Sequence, residues 1–388
     1  MTSRYDAIIL GAGAAGMMCA AVAGQRGRRI LLVDHAAEPG AKIVISGGGR
    51  CNFTNTGTAP DRFLSANPHF AKSALGRYTP TDFIALVERH GIAWHEKTLG
   101  QLFCDGSARQ IVQMLRGECE LGRVEYAFGE PAEVGHDGAG FRVGISARTV
   151  SAPALVIATG GPSIPKIGAT DIAYRLAKRF GLKLVEPRPA LVPLTLGPDE
   201  ALFRDLAGVS APVVAHAGKA AFPEAALFTH RGLSGPAILQ ASSYWRHGDM
   251  VAIDFAPTRD GDWLVEAKRT QPRASLRRVL DLPDRLAEAL ASRLQIADRL
   301  ADVPDKALRA AAARLARWPF RPDGSEGYAK AEVTVGGIST AELSSRTMEA
   351  RRVPGLYAIG EAVDVTGWLG GYNFQWAWAS GSATGHAL

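Results

Sequence analysis

At 388 residues the chain has room for two or three domains with full cores. Its 47% hydrophobic and 21% charged shares are those of a globular protein, and no apolar run reaches the ~18–20 residues of a membrane span. The formal charge is +6, and residues 257–321 carry fourteen Lys+Arg against nine Asp+Glu; because the arginines alternate with Leu and Ala at helical spacing, solvated helix faces account for them and a nucleic-acid partner is not expected.

The first motif is strand, turn, helix, strand. Ile8, Ile9 and Leu10 read as a buried strand, Gly11, Gly13 and Gly16 stand in G-x-G-x-x-G register, and small residues continue as a helix over 14–23. A second apolar strand over 30–33 closes on Asp34. Each part has a task in binding a dinucleotide. Gly11 permits the tight turn, Gly13 lets the backbone approach a pyrophosphate, and Gly16 brings the helix close to the sheet. The helix then presents free N–H groups and a positive dipole end to the phosphates, and Asp34 accepts from ribose hydroxyls.

The second motif is the loop over 38–55. Gly47, Gly48 and Gly49 adjoin Ser46, Arg50 and Asn52, so several backbone N–H groups can face one ligand. Lys42 and Arg50 suit a pyrophosphate or a substrate anion. Cys51 is open to two readings, a redox group near a cofactor or ordinary packing. The four cysteines (Cys19, Cys51, Cys104, Cys119) lack C-x-x-C or His–Cys spacing, which argues against a disulfide framework or a zinc site.

Residues 69–92 read as helix, with Thr79-Pro80-Thr81-Asp82 as a start signal and Phe83, Leu86 and Val87 on one face. Another helix covers 107–115. Short runs over 124–128, 131–134, 141–145 and 149–151 read as one small antiparallel meander. The buried strand over 154–157 then ends in Ala158-Thr159-Gly160-Gly161, which sets backbone beside a nucleotide seated on the first turn.

Proline-rich texture from residue 187 marks a domain boundary near 186, followed by strand-like runs over 213–216, 227–229 and 250–255. The turn Thr229-His230-Arg231-Gly232-Leu233-Ser234 leads into a helix. His230 reads either as a proton donor in a substrate pocket or as a surface histidine beside a helix cap. Residues 257–321 read as helices with core stripes, Leu286/Leu290/Leu294 and Leu308/Ala311/Ala312/Leu315, and no chemistry.

The last part returns to the first domain. A strand over 355–359 ends in Gly360-Glu361, and Gly370-Gly371-Tyr372-Asn373 opens a helix rich in Trp and Ala. An acid at that strand end suits a ribityl chain, and a helix starting after Gly371 aims its positive end at the pyrimidine edge of a flavin. This C-terminal return points to FAD rather than NAD. Phe374, Trp376 and Trp378 read as helix-to-core packing more than as stacking partners.

Gly11-x-Gly13-x-x-Gly16, the Ser46-Gly47-Gly48-Gly49-Arg50-Cys51-Asn52-x-x-Asn55 loop, Ala158-Thr159-Gly160-Gly161, Thr229-His230-x-Gly232-x-Ser234-Gly235-Pro236, Gly336-Gly337 and Gly360-Glu361-x-x-Asp364-x-x-Gly367-x-x-Gly370-Gly371-Tyr372-Asn373 together resemble the bacterial BaiN/YhiN-like family of NAD(P)/FAD-dependent oxidoreductases, the HI0933-like flavoproteins. The resemblance implies an α/β fold: a glutathione-reductase-type, Rossmann-like FAD-binding domain (1–186 and 326–388), interrupted by a β-barrel domain (187–256, with part of 322–340 able to join it) that carries a small helical insert (257–321). It also implies FAD held by the motifs above, including Ala14, Ala15, His35, Ala132, Gly360, Gly370 and Phe374. Asp34 stands where Glu is usual in this type, one methylene shorter.

No second G-x-G-x-x-G is present for a nicotinamide nucleotide, so NAD(P)H is expected to dock transiently as electron donor. The expected activity is FAD-dependent hydride transfer to an activated C=C of a small molecule, with His230 and Tyr372 as candidate proton donors. A flavoprotein acting on RNA and a non-catalytic flavin sensor are the rival readings. The N-terminus enters a strand at once, without a signal pattern, and the C-terminus follows the last helix directly. A cytoplasmic protein with no membrane partner, and no later segment adding to the substrate site, is expected. Oligomeric state is left open.

Overall fold

The computed structural model describes residues 3–129, 132–138, 140–145, 148–259 and 261–388. The chain divides into two compact units, Met1–Arg188 with Val333–Leu388, and Pro189–Glu332.

The first unit is built on a five-stranded parallel sheet in the order Leu356–Ala358, Ala154–Ile157, Ala7–Leu10, Ile30–Asp34, Glu125–Phe128. The four inner residues Ala7 to Leu10 and the strand Ala154–Ile157 are buried throughout, as continuous apolar runs are when both faces of a parallel sheet are covered. The C-terminal strand lies in register beside the crossover strand, Val156 opposite Tyr357, so both chain ends share one sheet. The helices Ala14–Gln25 and Tyr372–Ala387 pack tightly: a Cβ on Gly381 would lie 2.6 Å from Ala15 O. Phe83 and Trp378 stack at 4.3 Å beneath them.

Two local readings change. The run over 124–128 does not belong to the meander. Glu125–Phe128 pairs parallel with Ile30–Asp34 as the sheet's edge, while Ala132–His136, Phe141–Ile145 and Arg148–Ala152 form an antiparallel layer to which Ser3–Arg4 adds as a parallel edge strand. Short alternating strands look alike whether their partner is near or far in sequence, so only the long-range register separates the two cases. Pro131 of the expected meander lies outside the described residues. The helix over 69–92 is two helices, Lys72–Arg77 and Pro80–Arg89. Thr79 breaks it by forming a capping box with Asp82, accepting from its backbone N–H while the Asp82 carboxylate accepts from Thr79 N at 2.7 Å.

The second unit carries a seven-stranded antiparallel sheet running from Trp318–Phe320 at one edge to Pro322–Ser325 at the other. Only Arg321 separates those edge strands in sequence, so the sheet bends back on itself as in a barrel. Helices Trp263–Thr270, Asp284–Leu294 and Asp305–Ala316 bury Leu286, Leu290, Leu308, Ala311, Ala312 and Leu315.

Candidate functional site

The glycine turn has the form a dinucleotide requires. A Cβ on Gly16 would overlap Gly11 O, so only glycine lets the helix start this close to the strand. A Cβ on Gly13 would meet nothing within 4 Å, and Gly13 caps the helix without a side-chain hydrogen bond or an acid in the first turn. The first-turn N–H groups therefore face open space. Ala158 N donates to Leu10 O at 2.8 Å, which draws the Thr159-Gly160-Gly161 segment beside the turn, and a Cβ on Gly160 also meets nothing within 4 Å.

The Asp34 carboxylate closes the second strand. It accepts from Ala12 N at 2.6 Å and Ala36 N at 2.9 Å, leaving lone pairs on both oxygens, with His35 Nδ1 3.3 Å away. Thr159 Oγ1 is buried beside the turn without a hydrogen-bond partner among the described residues, a cost that a bound nucleotide would relieve. The orphaned hydroxyl, the open glycines and the uncapped helix fit a dinucleotide.

The glycine-rich loop follows the short helix Ala41–Ile45. Gly48 and Gly49 border open space, and Arg50 is exposed. Ser46 Oγ donates to Ile43 O at 2.7 Å. Cys51 is fully buried, and burial pushes its thiol well above the usual range, so it packs rather than reacts. The Asn52 amide pairs with the Gln101 side chain at 3.1 Å.

Lys42 reaches across to the C-terminal strand end. Its Nζ lies 2.6 Å from Glu361 Oε2, while Glu361 Oε1 accepts from Ser163 Oγ at 2.6 Å and from Thr334 N at 3.1 Å. Gly360 is clamped to the last helix: its N–H donates to Ser380 Oγ at 3.1 Å and its carbonyl accepts from Trp376 Nε1 at 3.0 Å. Asp364, nearby in sequence, is buried. Its carboxylate accepts from Ala66 N at 2.8 Å, and burial holds its carboxyl above the usual carboxylate range.

The last helix begins at Tyr372 behind Gly371, whose φ of +95° and contact with Thr54 O exclude any Cβ. Asn373 folds its amide back on the preceding turn, accepting from Gly367 N at 2.8 Å and donating to Gly367 O at 2.9 Å. Tyr372 is buried edge-on to Phe63 and Trp368. Trp376 and Trp378 are core residues, and Phe374 stacks on Trp378 at 5.6 Å.

The first unit thus gathers Gly11 to Gly16, Asp34, Lys42, the glycine-rich loop, Thr159 and the Gly360 to Asn373 segment. Ala132 opens the strand Ala132–His136. His230 belongs to the second unit, exposed at the tip of the hairpin Ala220–Thr229 to Gly232–Ser234, where Thr229 Oγ1 accepts from Gly232 N at 3.1 Å. Ser163, Thr334 and Gln101, absent from the sequence reading, build the polar framework. Ser163, two residues past Gly161, was the one with a local signal. Among the described residues no helix is long and apolar enough to cross a membrane, and no His/Cys/Asp/Glu group could hold a metal.

This parallel sheet, glycine turn and C-terminal return define a dinucleotide-binding flavoprotein, an oxidoreductase that uses FAD. The chain belongs to the HI0933-like family, whose Rossmann-domain model matches residues 5–387. It is 54% identical, over 99% of its length and 98% of the relative's, to the ribosomal RNA dihydrouridine synthase of Escherichia coli. It is 44% identical, over 99% and 98%, to the ribosomal RNA dihydrouridine synthase of Haemophilus influenzae. A 3-dehydro-bile acid delta(4,6)-reductase of Clostridium scindens is 28% identical over 98% of both chains.

These relatives overturn one expectation. Nucleic acid was set aside as a partner in favour of a small molecule, yet two proteins similar along their whole length are named for an RNA substrate. Lys268, Arg269, Arg277, Arg299 and Arg309 are each within 3.4 Å of an Asp or Glu oxygen of the same helical insert, so five of its fourteen cations are paired locally and the charge run keeps its positive excess.

Proposed function

We propose that this chain reduces the C5=C6 bond of a uridine in ribosomal RNA to give dihydrouridine. The observation that supports the reading is full-length similarity, at 54% and 44% identity, to two proteins of that name. The C5=C6 bond of uracil is conjugated to the C4 carbonyl, so it accepts hydride at C6 and a proton at C5. The π bond breaks, two C–H bonds form, and NAD(P)H is the two-electron donor oxidised to NAD(P)+. FAD, when bound and reduced, supplies the hydride.

The chain's residues supply binding, orientation and the proton. First-turn N–H groups of the helix Ala14–Gln25 bind the pyrophosphate, with Arg50 and Lys42 adding positive charge. Asp34 takes the ribose, and Glu361, held by Lys42, Ser163 and Thr334, takes the ribityl hydroxyls. The N-terminus of the helix Tyr372–Ala387 offers a positive dipole end to charge developing at the pyrimidine edge. Tyr372 Oη is the favoured source of the C5 proton, with His230 the alternative.

The test is complementation. Expressed in a bacterium lacking its own synthase, the FAD-loaded protein should restore dihydrouridine to ribosomal RNA, read by mass spectrometry of nuclease digests. FAD-loaded protein that leaves the RNA free of dihydrouridine, in cells and with NAD(P)H in vitro, overturns the proposal.

A further inference from the structure

The hairpin formed by Trp94–Glu96 and Gln101–Cys104 has an unusual tip. Leu99 there is 67% exposed and sits at φ +52°, a left-handed conformation in which glycine or asparagine is the relaxed choice. An apolar side chain that is both solvated and strained gains nothing for the fold, so its persistence at this point asks for a partner outside the chain.

The hairpin is tied to both loops assigned to the flavin. Asn55 Nδ2 donates to Leu99 O at 3.1 Å and to Gly370 O at 2.8 Å, bridging the tip to the turn before the last helix. A Cβ on Gly370 would meet the Gln101 side chain at 2.8 Å, and one on Gly47 would meet the Phe103 ring at 2.9 Å. Along the second strand Leu102 and Cys104 are buried, while Gln101 and Phe103 alternate with them on the partly exposed face.

Charge around this face suits a polyanion. Lys97 is exposed with its Nζ 5.7 Å from the Phe103 ring centre, Arg50 is exposed on the adjoining loop, and neither forms an ion pair among the described residues. Of the nearby acids, Asp105 faces His95 Nδ1 at 2.6 Å, and Glu96 is turned back on its own hairpin, accepting from Gly100 N at 3.1 Å.

Resting on the proposed RNA substrate, we infer that this hairpin tip is the element that grips the RNA strand beside the target uridine. Leu99 wedges against a base next to the extruded nucleotide, and Lys97 neutralises a flanking phosphate. Enzymes that act on a base must take it out of its stack, and apolar side chains inserted between bases are a recurring means of doing so.

The experiment measures the affinity of the FAD-loaded protein for deproteinised ribosomal RNA lacking dihydrouridine, by filter binding over a salt series. Leu99→Gly removes the side chain and relieves the positive φ, so it is expected to raise or preserve Tm while weakening RNA binding at least about fivefold. Lys97→Gln is expected to weaken binding and lower the salt slope by about one. Leu121→Ser, at an equally exposed leucine on the helix Arg109–Leu121, should change neither. Unchanged RNA affinity in Leu99→Gly with a wild-type flavin spectrum, or an equal loss in Leu121→Ser, overturns the assignment while the proposed function stands. Wild-type protein that binds no RNA overturns both.

Discussion

Lys42 Nζ lies 2.6 Å from Glu361 Oε2, joining the helix after the second strand to the end of the C-terminal strand across 319 positions of sequence. With side chains 30% and 18% exposed, the pair is shielded enough for its geometry to matter. Lys42 also donates to Ser163 Oγ at 3.1 Å, so one ammonium organises the donor set around the carboxylate.

Lys42→Met should therefore act on the cofactor before it acts on the fold. It leaves Glu361 with two neutral donors and no countercharge, and it removes a cation from the dinucleotide cradle. FAD affinity is expected to fall about tenfold, ~1.4 kcal/mol, measured by quenching of flavin fluorescence on titration. An unchanged affinity would remove Lys42 and Glu361 from the FAD site.

Gly371→Ala tests the start of the last helix. The substitution forces a Cβ into Thr54 O at a φ of +95°, and both effects oppose folding there. About 2 kcal/mol of stability should be lost, seen as a fall of several degrees in the Tm of the FAD-loaded protein. Gly13→Ala has open space, so the same scan should show a much smaller loss in apo stability but a clear loss of FAD binding.

Some of this was legible in the sequence, and the division follows sterics. Gly11 and Gly16 announce themselves because a Cβ at either would meet backbone, so residue type and spacing are fixed locally. The Thr79-Pro80 start signal is equally local, although it divides one expected helix into two. Glu361's partners are not local. Residues 42, 163 and 334 meet only after the sheet forms; Ser163 has nearby Gly161 as a signal, but nothing in the sequence near Thr334 marks that meeting. The edge strand Glu125–Phe128 was misplaced for the same reason, since Leu31 opposite Glu125 is a long-range pairing. The charge run alone does not name a partner, since five of its cations face acids of the same insert and the rest read equally well as solvated helix faces.

Tyr372 and His230 can be separated kinetically. Tyr372 shares a unit with the dinucleotide cradle, and its ring is fixed between Phe63 and Trp368. As the C5 proton donor, Tyr372→Phe should lower the rate at which RNA reoxidises the pre-reduced enzyme by about a hundredfold. Reduction by NAD(P)H should stay within about twofold by the same reasoning, since no proton reaches uracil in that half-reaction. His230→Gln should leave both half-reactions near wild type. A large loss in His230→Gln with none in Tyr372→Phe reverses the assignment.

Asp364 gives the protein a predictable pH response. The residue is 3% exposed; burial raises its pKa, and the hydrogen bonds from Ala66 N and the Ser65 hydroxyl offset only part of that. Because the folded value lies above the unfolded one, the protonated form is favoured by folding. The contribution to stability is fully present below the unfolded pKa of ~3.9 and is lost as pH rises through the folded value. Asp364→Asn keeps an oxygen for Ala66 N and never ionises. At neutral pH the variant should melt above the wild type, and the two Tm curves should converge as pH falls toward about 4. Calorimetry of both FAD-loaded proteins across that range checks the sign. A wild type that is the more stable at neutral pH, with a gap that closes on acidification, would mean that the carboxylate is held charged by a partner stronger than its burial, and that Asp364 serves the site as an anion.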